Sequence, residues 1–362
     1  MINNGEEYLI PEIIDDTIQT LKFFPSKDIN YLASGGWDKK LRLFEVKYQI
    51  FNQSYSVDNT QILSNKLNEC QHQSPILSLT WEGNTGAIIT GCADGSINYV
   101  DMQKNKINKI GEHKAGCKEV LYNYEYNIIM TGGWDGALNL WDLRSQNPIY
   151  TYKFNNKIYS MSYNKNLLVV GMSELAMAYF NLDYLKNNQF QPEIIFSSHL
   201  REQTRKVAVF NEGDGFIEGS IEGRVAVKYI PSLYTMPKYN KETNTIQTDK
   251  DFSFKCHREV KNNIVNVYFI NDICINPAYG SVCTAGGDGK YCIWDLQERS
   301  RIYDRKNISD NTPLTACDIN KSGDLLAFSS GYDWSKGMNY AQYSSRPKIC
   351  IHYLQKNQRK KI

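Results

Sequence analysis

Short apolar runs separated by tight turns recur along the whole chain. The clearest example spans residues 128–143, IIMTGGWDGALNLWDL, where an apolar strand runs into Thr-Gly-Gly. An Asp-Gly turn follows at Asp135 and Gly136, and an alternating strand then ends with Trp141. An apolar run, an Asp-Gly turn and an alternating run together predict a β-hairpin.

Six further hairpins of this kind follow the same pattern: 31–46, 87–102, 167–182, 215–230, 281–296, and one that begins at Leu325 and resumes at 349–354. A strand-like run precedes each hairpin and another follows most of them, so each unit has four strands. A period of roughly 40 to 50 residues, with four strands and a terminal Trp-Asp, predicts an all-β, seven-bladed WD-repeat β-propeller. The scarcity of a 3.6-residue apolar period argues against a helical solenoid.

The two ends of the chain are predicted to meet in one blade. The seventh unit ends its third strand near Leu354, and only QKNQRKKI follows. Because an open edge strand promotes aggregation, we expect residues 8–14, YLIPEII, to supply the missing outer strand. Residues 1–354 would then form a single propeller, and residues 355–362 a short basic tail.

Four of the five histidines share one position, at the end of an outer strand just before the next blade: His72, His113, His199 and His257. In blade three we expect a buried structural hydrogen-bond set of His113, Thr131, Asp135 and Trp141. Blade two has Val100 in place of the tryptophan. Since the histidines fall in different blades, metal ligation is the weaker alternative, and no metal or cofactor is expected.

Composition narrows the class of protein. A hydrophobic fraction of 41% is ample for a core, and a net charge of +2 argues against coating nucleic acid by bulk charge, although it permits a local basic patch.

Nine scattered cysteines without CxxC spacing, and no secretory signal, predict reduced thiols in the cytosol or nucleus. No apolar run is long enough to cross a bilayer, and the absence of GxSxG, HExxH and P-loop motifs disfavours an enzyme.

Three stretches break the period: 183–205, 231–251 and 334–347. We expect a long connection, a flexible surface loop inside blade five, and an insertion in the last hairpin, respectively. Insertions on a rigid scaffold often carry function. The alternative for each is a tolerated surface insertion.

Basic and aromatic side chains are concentrated where blades five and seven depart from the repeat: Arg224, Lys255 and Arg258 in blade five, and Tyr332, Trp334 and Lys336 in blade seven. Forked guanidinium donors suit carboxylates or phosphates. An exposed tryptophan beside a lysine suits an anchor for a partner chain. The alternative is that Trp334 packs on its own blade and the arginines pair with neighbouring glutamates.

The motifs SIEGRVAVKYI, FSFKCHR and SSGYDWSKG, in that order and in those blades, resemble those of the messenger-RNA export factors of the nuclear pore. This WD-repeat family is closely related to the mitotic checkpoint propellers that dock on Bub kinases. The resemblance covers nearly the whole chain, including residues 15–18, GGWD at 132–135 and RSQNP at 144–148. YDWSKG is similar to the export branch and unlike the checkpoint branch.

The resemblance implies a non-enzymatic adaptor that binds a GLEBS-type segment of a phenylalanine-glycine-repeat nucleoporin. The acidic residues of that segment would meet Arg224 and Arg258. By this match, the partner-peptide site comprises Arg224, Lys255, Arg258 and Trp334, and the nucleic-acid or partner surface comprises Tyr332, Trp334 and Lys336. This chain departs from the family in its longer blade-five loop and in the sequence that follows YDWSKG.

The expected partners are the nucleoporin, then RNA or ribonucleoprotein, and alternatively Bub-type checkpoint kinases. RNA contact would be directed at the backbone and would draw on the tail residues Lys356, Arg359, Lys360 and Lys361, unless the tail is a solvated, frayed end. We expect a monomeric propeller within a heteromeric complex, without membrane insertion. Its expected locations are the nucleus, the nuclear pore and the cytoplasm.

Overall fold

Antiparallel four-stranded sheets contain most of the strands. The structure is a computed structural model that describes residues 7–53, 58–83, 85–145, 147–230, 238–240, 244–305, 312–343 and 345–359. Seven such sheets, the blades, surround a central channel. The predicted fold class, a seven-bladed β-propeller, is therefore confirmed.

The chain begins with β1 (Glu7–Leu9), which belongs to the last blade. The remaining strands follow in chain order, from the inside of each blade outward: blade one, β2 (Ile18–Phe23), β3 (Tyr31–Gly36), β4 (Lys40–Gln53) and β5 (Asp58–Gln71); blade two, β6 (Ile76–Trp81), β7 (Ile88–Cys92), β8 (Ser96–Asp101) and β9 (Lys106–Glu112); blade three, β10 (Cys117–Asn123), β11 (Ile128–Gly133), β12 (Ala137–Trp141) and β13 (Tyr150–Lys153); blade four, β14 (Ile158–Asn164), β15 (Leu167–Met172), β16 (Ala176–Asn181) and β17 (Ile194–Ser197).

Blades five to seven complete the ring, and blade five is joined by two extra hairpins. Their strands are, for blade five, β18 (Thr204–Val209), β19 (Gly215–Ser220), β20 (Arg224–Tyr229), the hairpin β21 (Lys238–Asn240) and β22 (Thr245–Gln247), and β23 (Phe252–Lys255); then the hairpin β24 (Arg258–Lys261) and β25 (Ile264–Val267); for blade six, β26 (Ile270–Ile275), β27 (Val282–Gly286), β28 (Tyr291–Asp295) and β29 (Ser300–Asp304); for blade seven, β30 (Leu314–Ile319), β31 (Leu325–Ser330) and β32 (Lys348–Tyr353). Within the described residues, helix is limited to two 3₁₀ segments, Leu182–Asn187 and Met338–Tyr343, and to α1 (Lys356–Arg359). None of these helices is long and apolar enough to cross a membrane.

The hydrophobic core consists of seven apolar clusters, each between two successive blades. The middle strands are therefore buried on both faces, which explains why β11 and β15 read as continuous apolar runs rather than alternating ones. The innermost strands contact one another around the ring, and β30 contacts β2. Each blade thus depends on both neighbours for burial of its apolar surface.

The last blade is closed by the N-terminal strand, as predicted. β1 pairs antiparallel with β32, with Tyr8 opposite Ile351. The strand is shorter than the expected 8–14, because Pro11 has no backbone N–H to continue the ladder. The backbone N–H of Ile10 makes a last bond to the carbonyl of Ile349 at 2.9 Å.

A partly buried arginine anchors this closing strand. Arg305 follows the outer strand of blade six, and its Nε and Nη2 donate to the two carboxylate oxygens of Glu7 at 2.8 and 2.7 Å. Its Nη1 donates to the carbonyl of Gly289 at 2.8 Å. Arg305 therefore ties the N-terminal strand to the turn of blade six.

Hydrogen bonds join the four expected side chains of blade three. Trp141 Nε1 donates to Thr131 Oγ1 at 2.8 Å, Thr131 Oγ1 lies 2.8 Å from His113 Nε2, and His113 Nδ1 lies 3.1 Å from Asp135. Because a carboxylate only accepts, Nδ1 carries the proton and Nε2 accepts from the threonine hydroxyl. Burial lowers the pKa of His113, and Asp135 only partly opposes this shift.

Blade six contains a second complete set that the sequence reasoning missed. His257 lies 2.9 Å from both Thr284 Oγ1 and Asp288 Oδ1, and Trp294 Nε1 donates to Thr284 Oγ1 at 3.0 Å. The signal was present, because the three residues after the histidine have the same spacing as in blade three. In blade two, Val100 occupies the register position of the tryptophan.

The three irregular stretches differ in structure, and the third, 334–347, lies between β31 and β32 and contains the 3₁₀ segment Met338–Tyr343. Residues 183–205 contain β17, the outer strand of blade four, and are therefore not a simple connection. In the stretch 231–251, the described part forms the hairpin β21–β22, while 231–237 and 241–243 lie outside the described residues. Asp251 holds the base of this stretch, because it accepts from Lys228 Nζ at 3.1 Å and from the N–H of Tyr229 at 2.9 Å.

We expect Arg305→Ala to lower the free energy of unfolding by about 2 kcal/mol, because Glu7 loses its charge-assisted hydrogen bonds in a partly buried site. Urea unfolding followed by tryptophan fluorescence measures this difference. Arg301→Ala is the matched control, since that arginine is half-exposed and 3.7 Å from Asp304. Equal effects of the two changes would contradict a special role for Arg305 in ring closure.

We expect the stability contributed by His113 to fall as the pH drops below about 6.5, the pKa of histidine in an unfolded chain. The folded pKa is lowered, so the unfolded state binds more protons in this range and acid favours unfolding. The difference in unfolding free energy between the wild type and His113→Gln should therefore shrink between pH 8 and pH 5.5. A difference that stays constant with pH would contradict the neutral tautomer assigned here.

Candidate functional site

The stretches of blades five and seven that depart from the repeat pattern lie on one face of the ring. In an antiparallel blade, the turn between the second and third strands and the end of the fourth strand share one edge. In blade five this edge carries the turn between β19 and β20 together with the end of β23, because Arg224 is opposite Lys255 in register. We call this side of the ring the turn face. The insertion between β31 and β32 occupies the same position in blade seven.

The turn of blade five organises a basic cluster on the turn face. Arg258 donates from Nη2 to the carbonyl of Glu222 at 2.9 Å and from Nε to that of Gly223 at 3.4 Å. Gly223 has φ +59°, and a Cβ there would lie 2.7 Å from the carbonyl oxygen of Cys256, so the turn requires glycine. The Nε atom of Arg224 lies 3.7 Å from a carboxylate oxygen of Glu222. The three predicted blade-five residues are thus brought together.

The neighbouring residues His257 and Arg258 connect the basic cluster to the turns of blades six and five. His257 reaches forward to the turn of blade six through Asp288, at 2.9 Å. Arg258 reaches back to the turn of blade five. Its guanidinium is consequently held by backbone on a rigid junction, and the donors of Nη1 make no hydrogen bond within the described part of the chain. A carboxylate could approach those donors without moving the arginine.

A small hairpin beside the cluster was missed by the sequence reasoning. β24 and β25 pair Val260 with Val265 and Arg258 with Val267, so these four side chains share one side of the hairpin. The three valines are 68%, 53% and 41% exposed. An exposed apolar strip therefore begins next to the guanidinium of Arg258.

The sequence did contain a signal for this hairpin. Asn262 and Asn263 both adopt positive φ, 50° and 60°, between two short alternating runs. Two such residues form the tight turn that suits a two-residue hairpin. The hairpin is easily missed because the strand-like run before the hairpin of blade six, VYFINDICI, begins in the sequence at Val267, whereas β26 begins at Ile270.

The blade-seven motif forms a second group around Trp334. This residue is 48% exposed and has φ +61°. Tyr332 is buried instead of lying on the surface: its hydroxyl donates to the carbonyl of Gly337 at 2.6 Å, and its ring packs 5.4 Å from that of Trp334. Tyr332 thus supports the tryptophan from below. Lys336 is exposed and lies 6.0 Å from the ring of Tyr340.

Blade six lies between the basic cluster and the Trp334 group, and residues at its turn connect the two. Asp333 lies 3.0 Å from where a Cβ on Gly287 would stand, and it accepts from Asn271 Nδ2 at 3.2 Å. Phe269 follows the β24–β25 hairpin, and Arg205 stacks over its ring at 5.6 Å. Arg205 also lines the cavity of about 480 Å³ beneath Trp334. Arg205 thus lies between Phe269, which follows the hairpin, and the cavity at Trp334.

The tail of the chain packs against the ring in its described part. Gln358 is buried, and its side-chain oxygen lies 3.0 Å from His352 Nε2. Arg359 donates from Nε to the carbonyl of Leu354 at 2.6 Å and stacks over Tyr353 at 5.0 Å. Lys360 and Lys361 lie outside the described residues.

The central channel is lined by charged side chains that pair with one another. Lys22 lies 2.9 Å from Asp318, and Lys206 lies 3.1 Å from Glu119. Burial alone would lower the pKa of Lys22, but Asp318 outweighs it and leaves the pKa raised. These ammonium groups are therefore locked in the charged form and are poorly suited to act as nucleophiles or bases.

The fold is shared with known proteins. The family model described as WD domain, G-beta repeat matches residues 104–142. The crystal structure of the WD40 β-propeller domain of Doa1 superposes with a TM-score of 0.67, at 13% sequence identity and over 98% of each chain. Together with the seven blades and the His-Thr-Asp-Trp sets, these matches define a WD-repeat β-propeller.

The sequence relatives identify the family within this class. The Poly(A)+ RNA export protein of Schizosaccharomyces pombe is 32% identical over 344 residues, which span 93% of this chain and 88% of that protein. The mRNA export factor GLE2 of Chaetomium thermophilum is 30% identical, over 93% of this chain and 87% of its own. The mRNA export factor of Xenopus tropicalis is 32% identical, over 90% of this chain and 83% of its own. The chain belongs to the WD-repeat mRNA export factors.

Proposed function

We propose that this protein is a non-enzymatic adaptor in mRNA export that binds a GLEBS-type segment of a phenylalanine-glycine-repeat nucleoporin on its turn face. One observation carries the proposal: the exposed valine strip of the β24–β25 hairpin continues from the basic cluster at Arg258. This juxtaposition suits an extended segment that contains both acidic and apolar residues. The export names of the relatives support the same role.

The binding energy is divided between two kinds of contact. Burial of Val260, Val265 and Val267, which are about half exposed, contributes roughly 1 kcal/mol each. Carboxylates of the segment pair with Arg224, Lys255 and Arg258, and these pairs fix its register more than they add affinity.

The rigidity of the site favours binding. Arg258 is held by the carbonyl groups of the turn, and the hairpin is anchored next to the buried His257. The protein side therefore loses little conformational entropy when the segment docks. The ring acts as a preformed surface, and the ordering cost falls on the partner segment.

RNA is the second ligand, and Trp334 is its contact. The half-exposed indole offers a face for stacking a base, and Lys336 offers a charge for the phosphate backbone. This contact is sequence-tolerant, since stacking and phosphate contacts carry little base information. The group lies on the turn face but across blade six from Arg258, so RNA and the nucleoporin segment bind side by side.

The proposed function also includes the assembly state and the cellular location of the protein. Lys22 and Lys206 of the channel are paired with carboxylates and stay charged, in keeping with an adaptor. The protein works as a monomeric propeller within a heteromeric complex at the nuclear pore, in the nucleus and in the cytoplasm. Binding of Bub-type checkpoint kinases is the competing function, and it would use the same basic cluster.

We expect Arg258→Ala to weaken binding of a labelled GLEBS-type segment by about 2 kcal/mol, or roughly thirtyfold in Kd. Val260→Asp should weaken it similarly, because it places a charge within the apolar strip. Fluorescence anisotropy with the purified full chain measures both. The controls are Arg144→Ala, an exposed arginine paired with Asp142, and Ile195→Asp on the outer strand of blade four.

The outcome distinguishes the two partner classes. Unchanged affinity in both site variants would reject the assigned site. Tight binding of the corresponding Bub-kinase segment, together with no binding of the nucleoporin segment, would reject the export proposal in favour of the checkpoint function.

For RNA, we expect Trp334→Ala to weaken binding of a single-stranded oligonucleotide by about 1 to 3 kcal/mol. Lys336→Ala should reduce the salt dependence of binding by about one phosphate contact. Tyr124→Ala, which removes a half-exposed aromatic residue on the opposite face, is the control. Loss of RNA binding in the control but not in Trp334→Ala would contradict the proposal.

A further inference from the structure

Three cysteines that are distant in sequence meet between blades six and seven. Cys274 on β26 and Cys283 on β27 are direct register partners, so their side chains project to the same side of the sheet. Cys317 on β30, the inner strand of the next blade, places its Sγ 3.5 Å from that of Cys274. All three sulfur atoms lie within 4.8 Å of one another. Within the described residues, no other group of cysteine, histidine and carboxylate side chains is arranged in this way.

The surroundings of the group are apolar. The three cysteines are 6%, 0% and 1% exposed and belong to the cluster that includes Ile293, Leu314 and Phe328. Hydrogen bonding with Cys283 and burial leave the pKa of Cys274 well above its ordinary value. The pKa of Cys317 is also raised, by its hydrogen bond with Cys274 and by burial. At neutral pH the group therefore consists of protonated thiols.

Net charge decides which ligand such a site accepts. A divalent metal ion held by three thiolates would leave one negative charge in an apolar core, which is costly. Trivalent arsenic in arsenous acid has no such cost. Three As–O bonds break and three As–S bonds form, each thiol proton leaves with a hydroxide as water, no atom changes oxidation state, and both acid and product are neutral.

We propose that Cys274, Cys283 and Cys317 form a binding site for trivalent arsenic, with one sulfur ligand from each of three strands. The site is reached from the central channel, whose cavity of about 1120 Å³ is lined by Cys274. A small neutral molecule such as arsenous acid enters this channel without being repelled by its charged lining. Once bound, the arsenic joins blade six to blade seven and stabilises the native ring.

The test uses the full chain with sodium arsenite and native mass spectrometry. We expect one arsenic per chain, with a mass increase equal to one arsenic minus three hydrogens, and a rise in the thermal unfolding midpoint. A bound arsenic that retains a hydroxyl would show only two sulfur ligands and would overturn the three-cysteine site. No binding at excess arsenite by the folded protein would overturn it as well.

Cysteine-to-alanine variants test which thiols bind the arsenic. Cys283→Ala keeps an apolar side chain and should weaken arsenite binding by about tenfold or more, with any residual complex retaining a hydroxyl. Cys292→Ala, which removes a buried cysteine from β28 of the same blade, should bind as the wild type does. Circular dichroism establishes that each variant is folded, and Cys317→Ala gives a second removal if Cys283→Ala is not folded.

A parallel titration tests the charge argument. Zinc(II) and copper(I) should bind the three thiols more weakly than arsenite at pH 7. Stoichiometric zinc binding that is tighter than arsenite binding and is lost in Cys283→Ala would overturn the preference for a neutral complex. Arsenite binding that is equal in the wild type and in both triad variants would show that the arsenic binds elsewhere.

Discussion

The pairing of β1 with β32, which the Arg305–Glu7 ion pair anchors, closes the ring, and the rest of the structure depends on that closure. Each blade buries its apolar faces only against its two neighbours, so an open ring would expose an entire inter-blade cluster. The cluster between blades seven and one includes Ile10 and Ile14 from the N-terminal segment. Both ends of the chain therefore contribute to one interface. Because blade seven carries the Trp334 insertion, the geometry of the turn face depends on this same closure.

The proposed functional residues lie where the structural pattern of the repeat is altered. In blades three and six, a histidine, threonine, aspartate and tryptophan lock the turn and the second and third strands together. In blade five, the carbonyl groups of the turn are instead held by Arg258. Arg258 replaces the hydrogen-bonded histidine set in this role, and its guanidinium is therefore held as rigidly as the histidine is in the other blades. It also retains donors that point outward, so one residue can support both the fold and recognition.

The sequence predicted the ring well because the repeat is local: each hairpin is specified by its own turn and its own apolar run. It predicted less where an element falls between repeats or where contacts cross blades. The β24–β25 hairpin lay in a gap that the period treats as a connection, although Asn262 and Asn263 indicated a turn. The burial of Tyr332 and the meeting of the three cysteines depend on neighbouring blades. No spacing along one strand encodes such contacts.

The charge balance of the turn face gives the valine strip a role in the proposed selectivity of the site. The cations Arg224, Lys255 and Arg258 are accompanied by the carboxylate of Glu222, which already lies 3.7 Å from Arg224. An acidic ligand must therefore compete with a carboxylate that is in place beforehand, and surface ion pairs alone are weak. Only a segment that also covers the hairpin gains enough apolar burial to displace it. In the proposed binding mode, the site would therefore discriminate against polyanions that lack apolar residues, and the proposed RNA contact would lie at the Trp334 group, away from the basic cluster.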